Sequence, residues 1–207
     1  KATGWSLVEL DTIFQTFDIT KDTLNEAAIL KLADFKQLQT LIGFEVEVMV
    51  GILKGLQSIK STTSKISWEQ LLPRTWVADS AAKLDDLIAN TEDEAVKILL
   101  DLQGIFFVVA ADMLACLTLL KDKIGTSNPL EITFDIATLN TIFKYIQLYK
   151  WSKATSFEAF AQLLKVWGED TTKHFDTAQD IRAFANYLPS FSLSSDDLLY
   201  LFGEELT

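Results

Sequence analysis

The sequence predicts an all-α chain, an irregular stack of about nine or ten helices arranged as helical hairpins, counted from the spacing of its apolar residues. Three observations carry that expectation. Gly and Pro are sparse (8 and 3), and Val and Thr form no alternating runs, so strand signals are weak throughout. Helix-start signatures recur along the chain. Behind each of them, apolar residues step by three and four.

The start signatures are capping boxes, in which a Ser, Thr or Asp stands three residues ahead of a Glu or Gln. Each side chain then satisfies the other's orphan backbone N–H. Ser6/Glu9, Thr23/Glu26, Ser67/Gln70, Thr91/Glu94, Thr155/Glu158 and Asp176/Gln179 fit the pattern. Ser194, followed by Asp196 and Asp197, is a looser version with carboxylates where the helix dipole favours them. Leu7, Leu10, Phe14 and Phe17 mark the first helix. Leu24, Ala28, Leu32, Phe35, Leu38 and Ile42 mark the second. Leu139, Ile142, Phe143, Ile146 and Tyr149 mark a later helix, and Ile181, Phe184, Ala185 and Leu188 mark one that Pro189 stops by removing a donor.

The stretch from Thr91 to Gly125 is the most hydrophobic. Asp101 and Asp112 interrupt it, which a lipid environment would make costly, so it reads as a buried helix or two abutting ones rather than a membrane span. On one continuous helix the two aspartates share a face with Lys97, Gly104, Val108 and Ala115. Held among apolar neighbours, Asp101 and Asp112 are candidate pH-sensitive carboxylates, because desolvation raises a carboxyl pKa. The turn cluster Gly125 to Pro129 suggests a boundary between residues 1–124, hairpins plus the hydrophobic region, and residues 125–207, a second group of hairpins, within what could also be one continuous domain.

Charge narrows the choice of partners. With 29 Asp and Glu against 18 Lys and Arg, the net charge of -11 repels phosphate backbones and anionic headgroups. Arg74 and Arg182 are the only arginines, and nucleic-acid binding is not expected. Cys116 is the only cysteine; within Leu114-Ala115-Cys116-Leu117 it reads as a buried, inert thiol. The chain starts at Lys1 with no signal-like segment and enters a helix signature almost at once, which suggests a piece of something longer.

One pattern recurs without a fixed period: a helix, a tight turn with Gly or Ser, then a short helix running into Leu or Phe. It appears at Gly4–Phe14, Gly43–Leu53, Thr155–Leu164 and Leu193–Phe202. A single hairpin cannot hide its apolar stripe, so such hairpins stack and share a core. The string Thr3-Gly4-Trp5-Ser6-Leu7-Val8-Glu9-Leu10-Asp11, then Leu30 to Leu38 and Gly43-Phe44, resembles the helical shell of Tc toxin A subunits, the pore-forming and translocating components of bacterial insecticidal toxin complexes. Leu139 to Trp167 and Phe191 to Leu201 are similar to later parts of that shell, whereas Ser58 to Lys123 is not. The resemblance implies a secreted, homopentameric toxin subunit whose shell encloses a channel and opens when pH changes. Its partners would be other segments of the same large chain, neighbouring subunits and cocoon-type toxin components. This segment would not itself enter a membrane.

No constellation points to catalysis. His174 is the only histidine, with no second ligand at zinc spacing. Asp18-x-Thr20-x-Asp22 hints at a calcium loop, but Thr23 stands where the turn glycine belongs and Ile29 where the bidentate Glu belongs. Glu92-Asp93-Glu94 reads as a helix start. Phosphate loops, nucleophile elbows and catalytic triads are absent, so neither an enzyme nor a cofactor is expected. Trp5, Leu7, Phe14 and Phe17 form a candidate packing interface for neighbouring helices. The competing reading is a free-standing helical module that binds a partner helix or an apolar ligand between hairpins.

Overall fold

A computed structural model describes residues 4–56, 100–124, 136–168, 175 and 177–188 of the chain. Among these residues there are helices, turns and no strand, as the sequence predicts. The chain divides into two compact units, Lys1–Gln70 and Leu71–Thr207.

The first unit contains α1 (Leu7–Thr16), α2 (Glu26–Ile42) and α3 (Val46–Lys54). The Ser6/Glu9 box is present in full: the Ser6 amide donates to Glu9 Oε2 at 2.7 Å, and the Glu9 amide donates to Ser6 Oγ at 3.2 Å. The amide and hydroxyl of Ser6 hold the Glu9 carboxyl below its ordinary value of 4.5. A depressed folded-state pKa contributes stability that is complete above the ordinary value and is lost as pH falls through the folded one. Ser6→Ala is therefore expected to weaken α1 by about 1 kcal/mol at neutral pH, with the deficit shrinking in acid, as read by amide hydrogen exchange of α1.

The core face of α1 is centred on Ile13, which is fully buried, with Leu10, Phe14 and Phe17 half-buried around it. The expected stripe omitted Ile13 and began one turn early at Leu7, which is 86% exposed. On α2 the stripe holds: Ala28, Phe35, Leu38 and Ile42 are buried and Leu32 is half-buried. Leu24, in contrast, lies outside the helix and is exposed. Helix α2 ends at Gly43, whose φ of 81° is the left-handed turn glycine allows, and whose amide donates to Gln39 O. Helix α3 then returns against α1, burying Val46, Met49, Val50 and Ile52.

Trp5 and Phe17 both pack edge-on against Phe35, at ring separations of 5.8 and 5.7 Å. Gln39 ties the unit together. Its Oε1 accepts from Trp5 Nε1 at 2.7 Å and Lys36 Nζ at 3.1 Å, while its Nε2 donates to Phe44 O at 3.2 Å.

The second unit contains α4 (Leu100–Phe106), α5 (Ala110–Ile124), α6 (Ile136–Ser152), α7 (Phe157–Trp167) and α8 (Ala178–Tyr187). Helices α5, α6 and α7 pack on one another, so the helices before and after residues 125–129 belong to one unit; the turn cluster itself lies outside the described residues. Their core is aromatic. Phe184 of α8 faces Trp151 (6.2 Å), Phe160 (6.0 Å), Trp167 (5.2 Å) and Phe175 (5.1 Å). Tyr149 continues the cluster onto Phe157 and Phe160. Cys116 is fully buried, which pushes its thiol pKa up.

Three helix starts differ from the boxes expected. Thr23 is engaged in a turn, donating to Asp18 O and accepting from the Thr20 amide, so Asn25 caps α2 instead through the Ala28 amide. Ser156, rather than Thr155, caps α7. Thr177 with Asp180, rather than Asp176 with Gln179, forms the box of α8. In each case a polar neighbour one or two residues later takes the capping role. Ser67, Thr91 and Ser194 lie outside the described residues.

Candidate functional site

The hydrophobic run is two abutting helices. Helix α4 stops at Phe106, α5 starts at Ala110, and their axes meet at 92°. No described helix alone is long and apolar enough to cross a membrane. The common face expected for Asp101, Gly104, Val108, Asp112 and Ala115 is therefore not formed, because the helix breaks between the two aspartates. Phe107 makes the break. It adopts a left-handed φ of 52°, and the Val108 amide closes a Schellman-type bond to Gln103 O at 3.3 Å. A phenylalanine in that conformation is strained by about 1 kcal/mol, so tertiary contacts must sustain it.

Two consecutive residues of α6 supply those contacts. Lys150 Nζ donates to Phe106 O at 2.7 Å, satisfying a carbonyl that the end of α4 leaves orphaned, and stands 5.9 Å from the Phe107 ring centroid. Tyr149 donates its hydroxyl to Asp112 Oδ2 at 2.8 Å, just inside α5. The other oxygen of Asp112 accepts from the amide of Phe157, the first residue of α7, also at 2.8 Å. Asp112 thus joins α5, α6 and α7. Burial, then the hydrogen bond to Asp112 and its charge, push the Tyr149 hydroxyl up to about 12. Lys150 reaches solvent, yet partial burial of its ammonium lowers its pKa.

These residues floor an open groove of about 750 Å³. Its walls are apolar: Leu100, Phe107, Val108, Val109 and Ala154. Polar groups reach it from Gln103, Asp112, Tyr149 and Lys150. Phe107 is 78% exposed, Val109 63% and Leu100 57%, a concentration of bare apolar side chains around one concavity.

Of the candidate packing residues and pH-sensitive carboxylates expected from the sequence, only Asp112 lies at this groove; Asp101 is half-buried on α4 and is not among the described lining residues. Trp5, Phe14 and Phe17 are half-buried in the first unit, where α2 supplies Phe35 and Gln39 as neighbours of Trp5, and Leu7 is exposed. Asp18, Thr20 and Thr23 form a hydroxyl-bonded turn. Among the described residues no cluster of His, Cys, Asp and Glu side chains is arranged to hold a metal ion. His174 and Glu92-Asp93-Glu94 lie outside the described residues. Tyr149 and Lys150 were missed as site residues. Tyr149 reads as part of an apolar stripe, and nothing local marks Lys150 as the cap of a helix 44 residues away.

The chain matches no protein-family model, no curated protein and no solved structure. The fold is all-α, and its second unit carries an open, largely apolar groove at the α4–α5 bend.

Proposed function

We propose that this chain is a structural, non-catalytic segment of the helical shell of a secreted toxin translocation subunit. It works through contacts with other segments of the same large chain, with neighbouring subunits of a homopentamer and with cocoon-type components. The observation that carries this reading is the distribution of apolar residues around α2. Phe35, Leu38 and Ile42 face its core, yet Ile29 (58%) and Leu30 (59%) are exposed on two other sides of the same helix. A helix apolar on several sides is suited to the interior of a larger helical array, and a shell built of stacked hairpins supplies that setting.

The test is electron microscopy of the product of the complete reading frame that contains this sequence. A five-fold particle with these helices in its wall is the expected result, and Leu30→Lys is expected to disrupt it. A reading frame that stops at Thr207, or a product without five-fold symmetry, overturns the proposal.

A further inference from the structure

We propose that the α4–α5 bend is a hinge latched by Lys150: once Lys150 lets go of the Phe106 carbonyl, α4 swings out to continue α5 as one unbroken helix. The hinge stands whether or not the chain forms part of a shell, because every group it uses lies within the second unit.

The apolar pattern of this stretch runs straight through the break. Leu102, Phe106, Val109, Met113, Cys116 and Leu120 follow one another in alternating steps of four and three, the repeat of a single apolar seam along one helix. Every member is buried except Val109, which lies in the break and is 63% exposed. On another side of the same continuous helix, Leu100, Phe107 and Leu114 recur every seven residues, and all three are exposed. The sequence therefore encodes one helix with two separate faces, and the structure interrupts it at the seam position that is left bare.

Nothing local requires the interruption. Phe107, Val108 and Val109 include no Gly or Pro, and Phe107 is held at a φ of 52°, which a bulky side chain disfavours. A continuous helix relieves that torsion, gives the Phe106 carbonyl an intrahelical donor and returns Val109 to its seam. Asp112 decides which arm moves. Its bonds to the Tyr149 hydroxyl and the Phe157 amide, each 2.8 Å, fix the start of α5 on α6 and α7. Helix α4 is therefore the moving arm, and Lys150 Nζ, 2.7 Å from the Phe106 carbonyl, is the contact that ties its end to α6. Burial of Leu102 and Phe106 also favours the bent form and makes it the resting state. Because Lys150 sits near the C-terminal end of α6, displacement of that end opens the latch.

Spin labels on the full chain test this, placed at the exposed positions Leu100→Cys and Thr118→Cys in a Cys116→Ala background and read by electron–electron double resonance. On a straight helix the two backbone positions stand about 27 Å apart, and across a right-angle bend roughly 10 Å closer. The labelled chain is expected to show mainly the short distance, and Lys150→Met to raise the fraction at the long one by about ten-fold. Phe107→Gly, which accepts the left-handed torsion, should restore the short distance in the Lys150→Met chain. Alanine at all three positions (Phe107→Ala, Val108→Ala and Val109→Ala) should instead make the long distance predominant there. Phe107 and Val109 are exposed and Val108 half-buried, so these changes leave the core intact, as near-ultraviolet circular dichroism checks. The short distance alone in the Lys150→Met chain with the three alanines would overturn the proposal. So would a broad distribution with no peak near the long distance, which marks unfolding of α4 rather than a hinge, or a long-distance fraction that Phe107→Gly leaves unchanged.

Discussion

Phe184→Ala is expected to cost the second unit about 3–5 kcal/mol, the largest effect of any single truncation considered. The side chain is fully buried, and its ring meets those of Trp151, Phe160, Trp167 and Phe175. Three of the four contacts come from α6 and α7, and the fourth from Phe175 just ahead of α8. Removing the ring forfeits its transfer free energy and leaves a void among rigid aromatic neighbours that cannot close around it. Edge-to-face pairs add about 0.5–1.5 kcal/mol each beyond area burial, so part of the loss comes from pairings no aliphatic replacement restores. Urea unfolding followed by near-ultraviolet circular dichroism checks this, because the tryptophans of the cluster report on its packing. Since whole domains are stable by only about 5–15 kcal/mol, the variant should unfold at a clearly lower urea concentration. Phe184→Leu is expected to recover much of the loss, and a variant indistinguishable from wild type would show that the cluster does not hold α8 in place.

How much of this was legible in the sequence depends on the range of the interactions involved. The Ser6/Glu9 box, the Gly43 turn and the α6 stripe are local: their causes lie within four residues, and the structure reproduces them. Cap positions slipped by one or two residues wherever Ser, Thr, Asn or Asp residues crowd together. Each such residue can cap, and only the core face required by tertiary packing chooses among them, as Ser156 over Thr155 shows. The break at Phe107 was not legible, since neither Gly nor Pro occupies it and Gly104 sits three residues too early. The carbonyl it leaves open is satisfied by Lys150, 44 residues away. Asp112 occupied an intermediate position. Its charge within an apolar run marked it as unusual, but its partners lie 37 and 45 residues downstream. The groove follows from those distant contacts and had no local signature.

Asp112→Ala is the second large effect expected, a loss of about 2–4 kcal/mol from the second unit. The substitution leaves the Tyr149 hydroxyl and the first amide of α7 without the acceptor that now serves both. It also removes a carboxylate from a helix N-terminus, where the dipole favours negative charge. Asp112→Asn should cost about 1 kcal/mol, because its amide oxygen can still accept from Phe157 while its NH₂ donates to a reoriented Tyr149 hydroxyl. Alkaline titration supplies an independent readout. Tyr149 is raised from 10.0 to about 12 in the folded chain. A raised folded-state pKa gives a stabilisation that is complete below the ordinary value and is lost as pH rises through the folded one. Wild-type chain should therefore lose stability between about pH 10 and pH 12, with a late-ionising tyrosine visible in phenolate absorbance. Burial is the largest cause of the shift and Asp112 contributes the rest, so Asp112→Ala should bring that ionisation down without returning it to the ordinary value. Tyr149→Phe should remove its part of the late step, with Tyr187, also raised by burial, remaining, and, combined with Asp112→Ala, cost less than the sum of the two single changes, because both remove the same hydrogen bond. Strict additivity in that cycle would mean that Asp112 and Tyr149 act separately, and that the junction of α5, α6 and α7 is held by packing alone.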